Sequence, residues 1–230
     1  NKVIITSLSI AVILLLFNQF RNTPFDETDL IDSNEKSIAV LAFKDMSPEQ
    51  DQEYFSDGIS EELLNLLAKI PELRVISRTS SFSYKGKNET LEKIGEDLNV
   101  THILEGSVRK SGKQLRITTQ LIKVADGSHL WSETYDRRME DIFKIQDEIS
   151  AEIVDSLQDK LQIENASIPV TMPSSSIEAY ESFLRGRYFV AQRTRESVSL
   201  AVEELENAIS LDPEYAAAYA ELAIAYRLQH

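Results

Sequence analysis

The hydrophobic pattern changes period several times along the chain. Val3–Phe17 (VIITSLSIAVILLLF) is an apolar run of 15 residues, broken only by Thr6, Ser7 and Ser9. A bilayer asks for about 20 residues, and Asn18-Gln19-Phe20 lengthen the run. It has no polar face, which argues against a buried core helix, and no small-x-small cleavage site follows, which argues against a signal peptide. Residues 1–21 therefore read as a membrane anchor, inserted through residues 3–20. Residues 22–36 are polar and acidic and read as a linker.

From Ser37 the pattern is that of a mixed domain. Ser37–Phe43 (SIAVLAF) suits a strand buried on both faces, and Asp45–Gln52 reads as a polar loop. Ile59, Leu63, Leu66-Leu67 and Ile70 have helical spacing within Phe55–Ile70. Asp57 and Glu61-Glu62 supply the negative charge that a helix N-terminus favours, and Pro71 stops the helix. Leu73–Ser77 is a second strand, and Thr90 caps a helix over Thr90–Leu98. Three antiparallel strands follow: Val100–Arg109, Gln114–Val124 and His129–Tyr135, turned at Ser111-Gly112 and Asp126-Gly127. Glu140–Leu161 is a long amphipathic helix with Ile142, Ile145, Ile149, Ile153, Leu157 and Leu161 on one face. The order β-α-β-α-β-β-β-α over residues 37–161 predicts an α/β (α+β) domain, a mixed sheet covered by helices.

Residues 162–176 (QIENASIPVTMPSSS) read as a second linker, and residues 177–230 as helix throughout. Ala201, Leu205 and Ala208 share one helical face; Tyr219, Leu222, Ala223 and Tyr226 mark another helix. Tyr219 and Tyr226 are seven apart, so both lie on one face. That face is predicted to pack on the helix of Ala201, Leu205 and Ala208. An extended turn is expected around Arg193-Thr194-Arg195. With a linker between them, the helical segment and the α/β domain are expected to unfold separately.

Charge narrows the function. The net charge is −14. Residues 1–21 hold Lys2 and Arg21 and no acid, so the rest carries 22 basic against 38 acidic residues. Such a surface repels phosphate backbones, and no nucleic-acid binding is expected from it. With no Cys there are no disulfides and no thiolate metal sites. The chain has no initiator Met and ends inside a helical pattern, so it reads as a piece of a longer protein.

Several motifs in order carry a resemblance to a known family: Tyr54-Phe55-Ser56-Asp57-Gly58-Ile59, Arg78 with Ser80-Ser81-Phe82, Tyr84-Lys85-Gly86, Leu104-Glu105-Gly106-Ser107-Val108-Arg109 and Leu130-Trp131. In these the chain resembles the TolB amino-terminal-like (FlgO-like) domain. Residues 177–230, with Leu184, Gly186, Ala201, Ala208 and Pro213, are similar to tetratricopeptide repeats, which stack in arrays. The resemblance implies a membrane-anchored bacterial signalling protein. It also implies an upstream output domain, either a winged-helix regulator or a class III adenylate or guanylate cyclase. The expected location is the inner membrane, single-pass, with the soluble part periplasmic.

The chemistry-bearing residues are sparse. His102 and His129 stand apart from other metal-ligating side chains and read as structural. There is no phosphate-binding loop, dinucleotide fingerprint or nucleophile elbow, so neither a cofactor, a metal nor a catalytic residue is expected. The best candidate for a ligand or partner site is the loop RTSSFSYKGK, with Arg78, Ser80, Ser81, Tyr84, Lys85 and Lys87. It is a hydroxyl-rich basic segment after a strand, where open α/β sheets bind ligands, and it suits an anion or an acidic peptide. The competing reading is that Phe82 and Tyr84 merely pin the loop to the core. The expected function is a non-enzymatic, membrane-tethered sensory module whose repeats take a protein or peptide partner. The alternatives are the regulatory half of a cyclase and an exported envelope protein with a signal sequence.

Overall fold

In the computed structural model, residues 36–161 and 174–229 are described. The anchor read over residues 1–21, and residues 162–173 of the second linker, lie outside them. Among the described residues no helix is long and apolar enough to cross a membrane.

The apolar run after Lys36 becomes β1 (Ser37–Val40), buried along its whole length. Its neighbours explain the double burial. β1 pairs in parallel with β3 (Arg74–Val75) on one side and β4 (His102–Ser111) on the other. β4, β5 (Gln114–Lys123) and β6 (His129–Arg138) form an antiparallel meander. The order is β3-β1-β4-β5-β6, and the two-residue β2 (Lys44–Asp45) also pairs with β4. Gly112 and Gly127 hold the left-handed turns between the long strands, at φ of 56° and 66°, where a β-carbon would be strained.

Helices cover both faces of this mixed sheet. On one face Ile38, Val40, Leu104, Val108, Ile117 and Leu121 join one cluster with Phe55, Ile59 and Leu63 of α1 (Glu53–Leu67). Ile142, Ile145, Ile149 and Ile153 of α4 (Ile142–Leu161) complete it. On the other face Ala39 and Ile103 pack with Val100 and with Ile94 of α3 (Leu91–Leu98). Each buried Val, Leu, Ile or Phe among these contributes about 1.5–3 kcal/mol. Thr90 caps α3, its hydroxyl accepting from the Lys93 amide at 3.3 Å. Two elements escaped the sequence pattern: β2, in the supposed polar loop, and α2 (Arg78–Phe82), inside the candidate loop.

The helical segment comprises α5 (Ile177–Gln192), α6 (Arg195–Leu211) and α7 (Ala216–Gln229). Gly186 lets α5 and α6 cross closely: a β-carbon there would lie 2.5 Å from Leu205 Cγ and 3.3 Å from the Ala201 carbonyl oxygen. The turn between them is tight rather than extended. Arg193 takes the left-handed conformation, and Thr194 caps α6 reciprocally with Ser197.

Two expectations change here. Tyr219 and Tyr226 are not the packed face of α7; they are 47% and 41% exposed. The buried positions are Tyr215, just before α7, and Ala218 and Ala225 within it. Against the buried Ala201 and Ala208 of α6, small side chains permit close approach where tyrosines would hold the helices apart.

The segment is also not set apart from the α/β layer; both belong to one compact unit. Leu184 of α5 occupies the space above Gly58 of α1, 2.7 Å from where a β-carbon would stand. Tyr180, fully buried, accepts a hydrogen bond from Gln146 Nε2 of α4 at 2.6 Å and meets Phe143 edge-on at 4.9 Å. Separate unfolding gives way to the expectation of one shared transition.

Candidate functional site

Glu53, Asp57 and Glu61 stand four residues apart on α1, so they form one acidic stripe along the helix. Like charges one turn apart repel by about 0.2–0.5 kcal/mol a pair, and cations brought to the stripe relieve this. Two other parts of the chain bring them.

The first is the loop after β3. Ser77 starts α2 by accepting from the Ser80 amide at 3.5 Å. This sets Arg78 against α1, its Nε 2.7 Å from Glu61 Oε2, with its guanidinium 4.6 Å from the centre of the Phe82 ring. Farther on, Lys85 Nζ donates to Asp57 Oδ1 and Oδ2 at 2.6 and 2.7 Å and lies 2.7 Å from Glu53 Oε1.

The second source is α5. Arg187 Nη1 donates to Glu62 Oε1 at 3.1 Å, and its Nη2 lies 3.1 Å from Glu61 Oε2. Tyr188 donates to Glu53 Oε2 at 2.8 Å. The carboxylates respond differently. Hydrogen bonds from Lys85 and Tyr188 hold Glu53 below the usual range. Burial pushes Asp57 up, against the pull of Lys85. Burial, then the bond to Glu53, pushes the Tyr188 phenol up to about 12.

Beside this junction lies a cleft of about 790 Å³. Its floor is the part of the sheet that α3 leaves open: Glu105, Ser107, Thr118 and Gln120. Its walls are Phe43–Asp45 and the stretch from Tyr84 to Leu91. Between the two β4 residues of the floor, Gly106 turns to the core face, where a β-carbon would lie 2.5 Å from the Thr118 carbonyl oxygen and 2.7 Å from Phe43 Cε2.

The six loop residues named from sequence divide accordingly. Tyr84, Lys85 and Lys87 line the cleft. Tyr84 also donates to Asp97 Oδ2 at 3.0 Å, and Lys87 Nζ sits 5.1 Å from the Tyr84 ring centre. Arg78, Ser80 and Ser81 lie on α2 and do not line it; Ser81 is fully buried. Arg78 and Lys85 face carboxylates of the same chain, while Lys87 lies over the Tyr84 ring at the cleft wall. Sequence reasoning took Asp57 and Glu61 for ordinary first-turn acids and passed over Glu53, Arg187 and Tyr188. The four-residue spacing of the acids was the available signal. The cations that answer it lie 17 to more than 120 residues away, and spacing does not reveal that.

His102 is buried with Nδ1 2.9 Å from Thr101 Oγ1, and burial lowers its pKa. Among the described residues no group of three or more His, Asp or Glu is placed to hold a metal ion.

No family model matches the chain. A protein of Rhizobium meliloti (strain 1021) named "Putative adenylate cyclase 3" is 42% identical over 188 residues. The match takes in 82% of this chain and 32% of the relative, so the chain spans about a third of that protein's length. Among solved structures, TolB from Acinetobacter baumannii matches 54% of this chain and 28% of its own at 14% identity and a TM-score of 0.40. Lipoprotein GNA1162 from Neisseria meningitidis matches 57% of this chain and 99% of its own, at 15% and 0.39. The LpoB C-terminal domain from Salmonella enterica matches 45% and 83%, at 16% and 0.37.

Proposed function

We propose that this chain is a non-enzymatic sensory module of a bacterial signalling protein, the regulatory portion of an adenylate or guanylate cyclase whose catalytic domain lies elsewhere in the whole protein. The observation that carries this reading is the 42% identity to a cyclase-named relative, of which the chain matches only 32%. The site agrees with a receiving role. Three cations, Arg78, Lys85 and Arg187, answer four carboxylates across α1, the loop and α5, and the cleft beside them has a mixed polar and apolar lining. In this reading the cleft receives the signal, and the α5–α7 helices, similar in pattern to tetratricopeptide repeats, pass it to a protein partner.

The test is direct. The purified chain, given ATP or GTP with Mg²⁺ or Mn²⁺, is expected to form no cyclic nucleotide above a no-protein control. Measurable cyclic product would overturn the reading.

We further propose that residues 3–20 anchor the module in the inner membrane with the remainder in the periplasm. The chain has no Cys, so one introduced thiol reports cleanly. Ser174 is a poor position, being buried and bonded to Asp212 Oδ2 at 2.6 Å. Ser199 is exposed on α6. Ser199→Cys is expected to react with a membrane-impermeant maleimide in intact spheroplasts. Labelling that appears only after lysis would place the module in the cytoplasm.

A further inference from the structure

One carboxylate belongs to both the cleft and the helical segment. Glu53 lines the cleft together with Lys85. One of its oxygens lies 2.7 Å from Lys85 Nζ; the other accepts from Tyr188 of α5 at 2.8 Å. Lys85 Nζ also lies 5.9 Å from the Tyr188 ring centre. The wall of the cleft and the end of α5 are thus hydrogen-bonded to one shared side chain at the first turn of α1.

We infer that Glu53 is a coupling strap: what happens to Lys85 in the cleft wall sets how firmly the C-terminal part of α5 is held on α1. A Glu53 carboxylate oriented by Lys85 presents its second oxygen to Tyr188 in fixed geometry. Once Lys85 is drawn away, Glu53 and Asp57 face each other one helical turn apart without their shared cation. Glu53, 49% exposed at its side chain, then turns to solvent, and Tyr188 loses its acceptor. Arg187 keeps its own carboxylates, Glu61 and Glu62, so α5 loosens at Tyr188 without leaving α1. Anything that enters the cleft and competes for Lys85 would be felt on α5 by this route.

The inference rests on the cleft being the receiving site, yet its test needs no ligand. A failed coupling leaves cleft binding open, and an empty cleft leaves the coupling intact. Hydrogen exchange is followed by mass spectrometry on the full chain in detergent, comparing wild type with Glu53→Gln, Tyr188→Phe, Lys85→Met and the Glu53→Gln/Tyr188→Phe double variant. Amides of residues 185–192 are expected to exchange about three- to tenfold faster in each single variant. The double variant is expected to be no faster than the faster single one, as for two ends of one interaction. Lys85→Met, made also in the Glu53→Gln background, is the decisive case: Lys85 donates no hydrogen bond to α5, loss of its 5.9 Å approach to the Tyr188 ring acts in both backgrounds, and the route through Glu53 acts only where Glu53 is present. If its effect stays within residues 78–90 while α5 exchanges as in wild type, the strap does not exist. Should Lys85→Met lose the fold, shown by its circular dichroism, the double variant decides. Effects of Glu53→Gln and Tyr188→Phe that multiply would overturn the inference, and effects that merge would sustain it.

Discussion

Replacing Arg187 with Leu is expected to destabilise the whole described unit by about 3 kcal/mol, and to move every probe of unfolding together. Arg187 carries the central ion pairs between α5 and α1, with its side chain 14% exposed and its guanidinium 5.1 Å from the Phe183 ring centre. Removing one partner of a buried pair costs about 3–5 kcal/mol, because the carboxylate left behind stays desolvated. The lower end applies here. Glu61 keeps Arg78, and Glu61 and Glu62 retain some contact with water. Trp131, on β6, is the single tryptophan, so its fluorescence follows the sheet. Circular dichroism at 222 nm follows the helices, including α5–α7. In urea both midpoints are expected to fall by the same amount. A Trp131 transition that stays in place while the helical one shifts would show two independent domains.

The second large effect is expected at Gly106. A β-carbon there meets a carbonyl oxygen at 2.5 Å and an aromatic carbon at 2.7 Å. Neither can yield cheaply. Thr118 is fixed in the β4–β5 pairing opposite Ser107. Phe43 is buried, and its amide donates to Ser60 Oγ at 2.8 Å. Gly106→Ala is therefore expected to cost about 2–3 kcal/mol, near the top of the usual overpacking range. Gly127→Ala is the comparison. Its φ is positive but the space around it is open, so only backbone strain applies, at about 1 kcal/mol. Urea midpoints of the two variants settle the order. A Gly106→Ala protein no less stable than Gly127→Ala would mean that Phe43 does not pack across the strand as described.

Much of this arrangement is legible in the sequence wherever one residue type has one local job. Thr90 reads as a cap because its hydroxyl can reach the third amide of a helix, and Gly112 and Gly127 read as turns because only glycine enters their backbone region freely. The meander of β4, β5 and β6 follows from alternation between those turns. What stayed hidden depends on partners distant in the chain. β2 has two residues, too few to show a period. In α7 the seven-residue spacing of Tyr219 and Tyr226 is shared by Ala218 and Ala225 one position away. Spacing gives a face but not which face; the close crossing with α6 decides it. At the candidate site the sequence showed cations in an acidic protein and suggested an open receptor for anions. The carboxylates of α1 take Arg78 and Lys85, and of the six loop residues Tyr84, Lys85 and Lys87 line the cleft.

The position of β1 has a consequence for how the molecule is made. Ser37 and Thr101 are joined by several hydrogen bonds, among them the Thr101 amide to Ser37 Oγ at 3.0 Å, across a separation of 64 residues. β1 is buried on both sides only when β3 and β4 flank it. A ribosome adding about 5–20 residues per second therefore leaves this strand without its main partner for about 3–13 s. The β4–β5–β6 meander needs only neighbouring residues and can close as it emerges, so the return of β1 to a sheet begun without it is the step expected to be slow. Throughout that interval β1 lacks its β4 partner, with only the two-residue β3 available in the later part, and exposure of its edge to aggregation is expected to be greatest then.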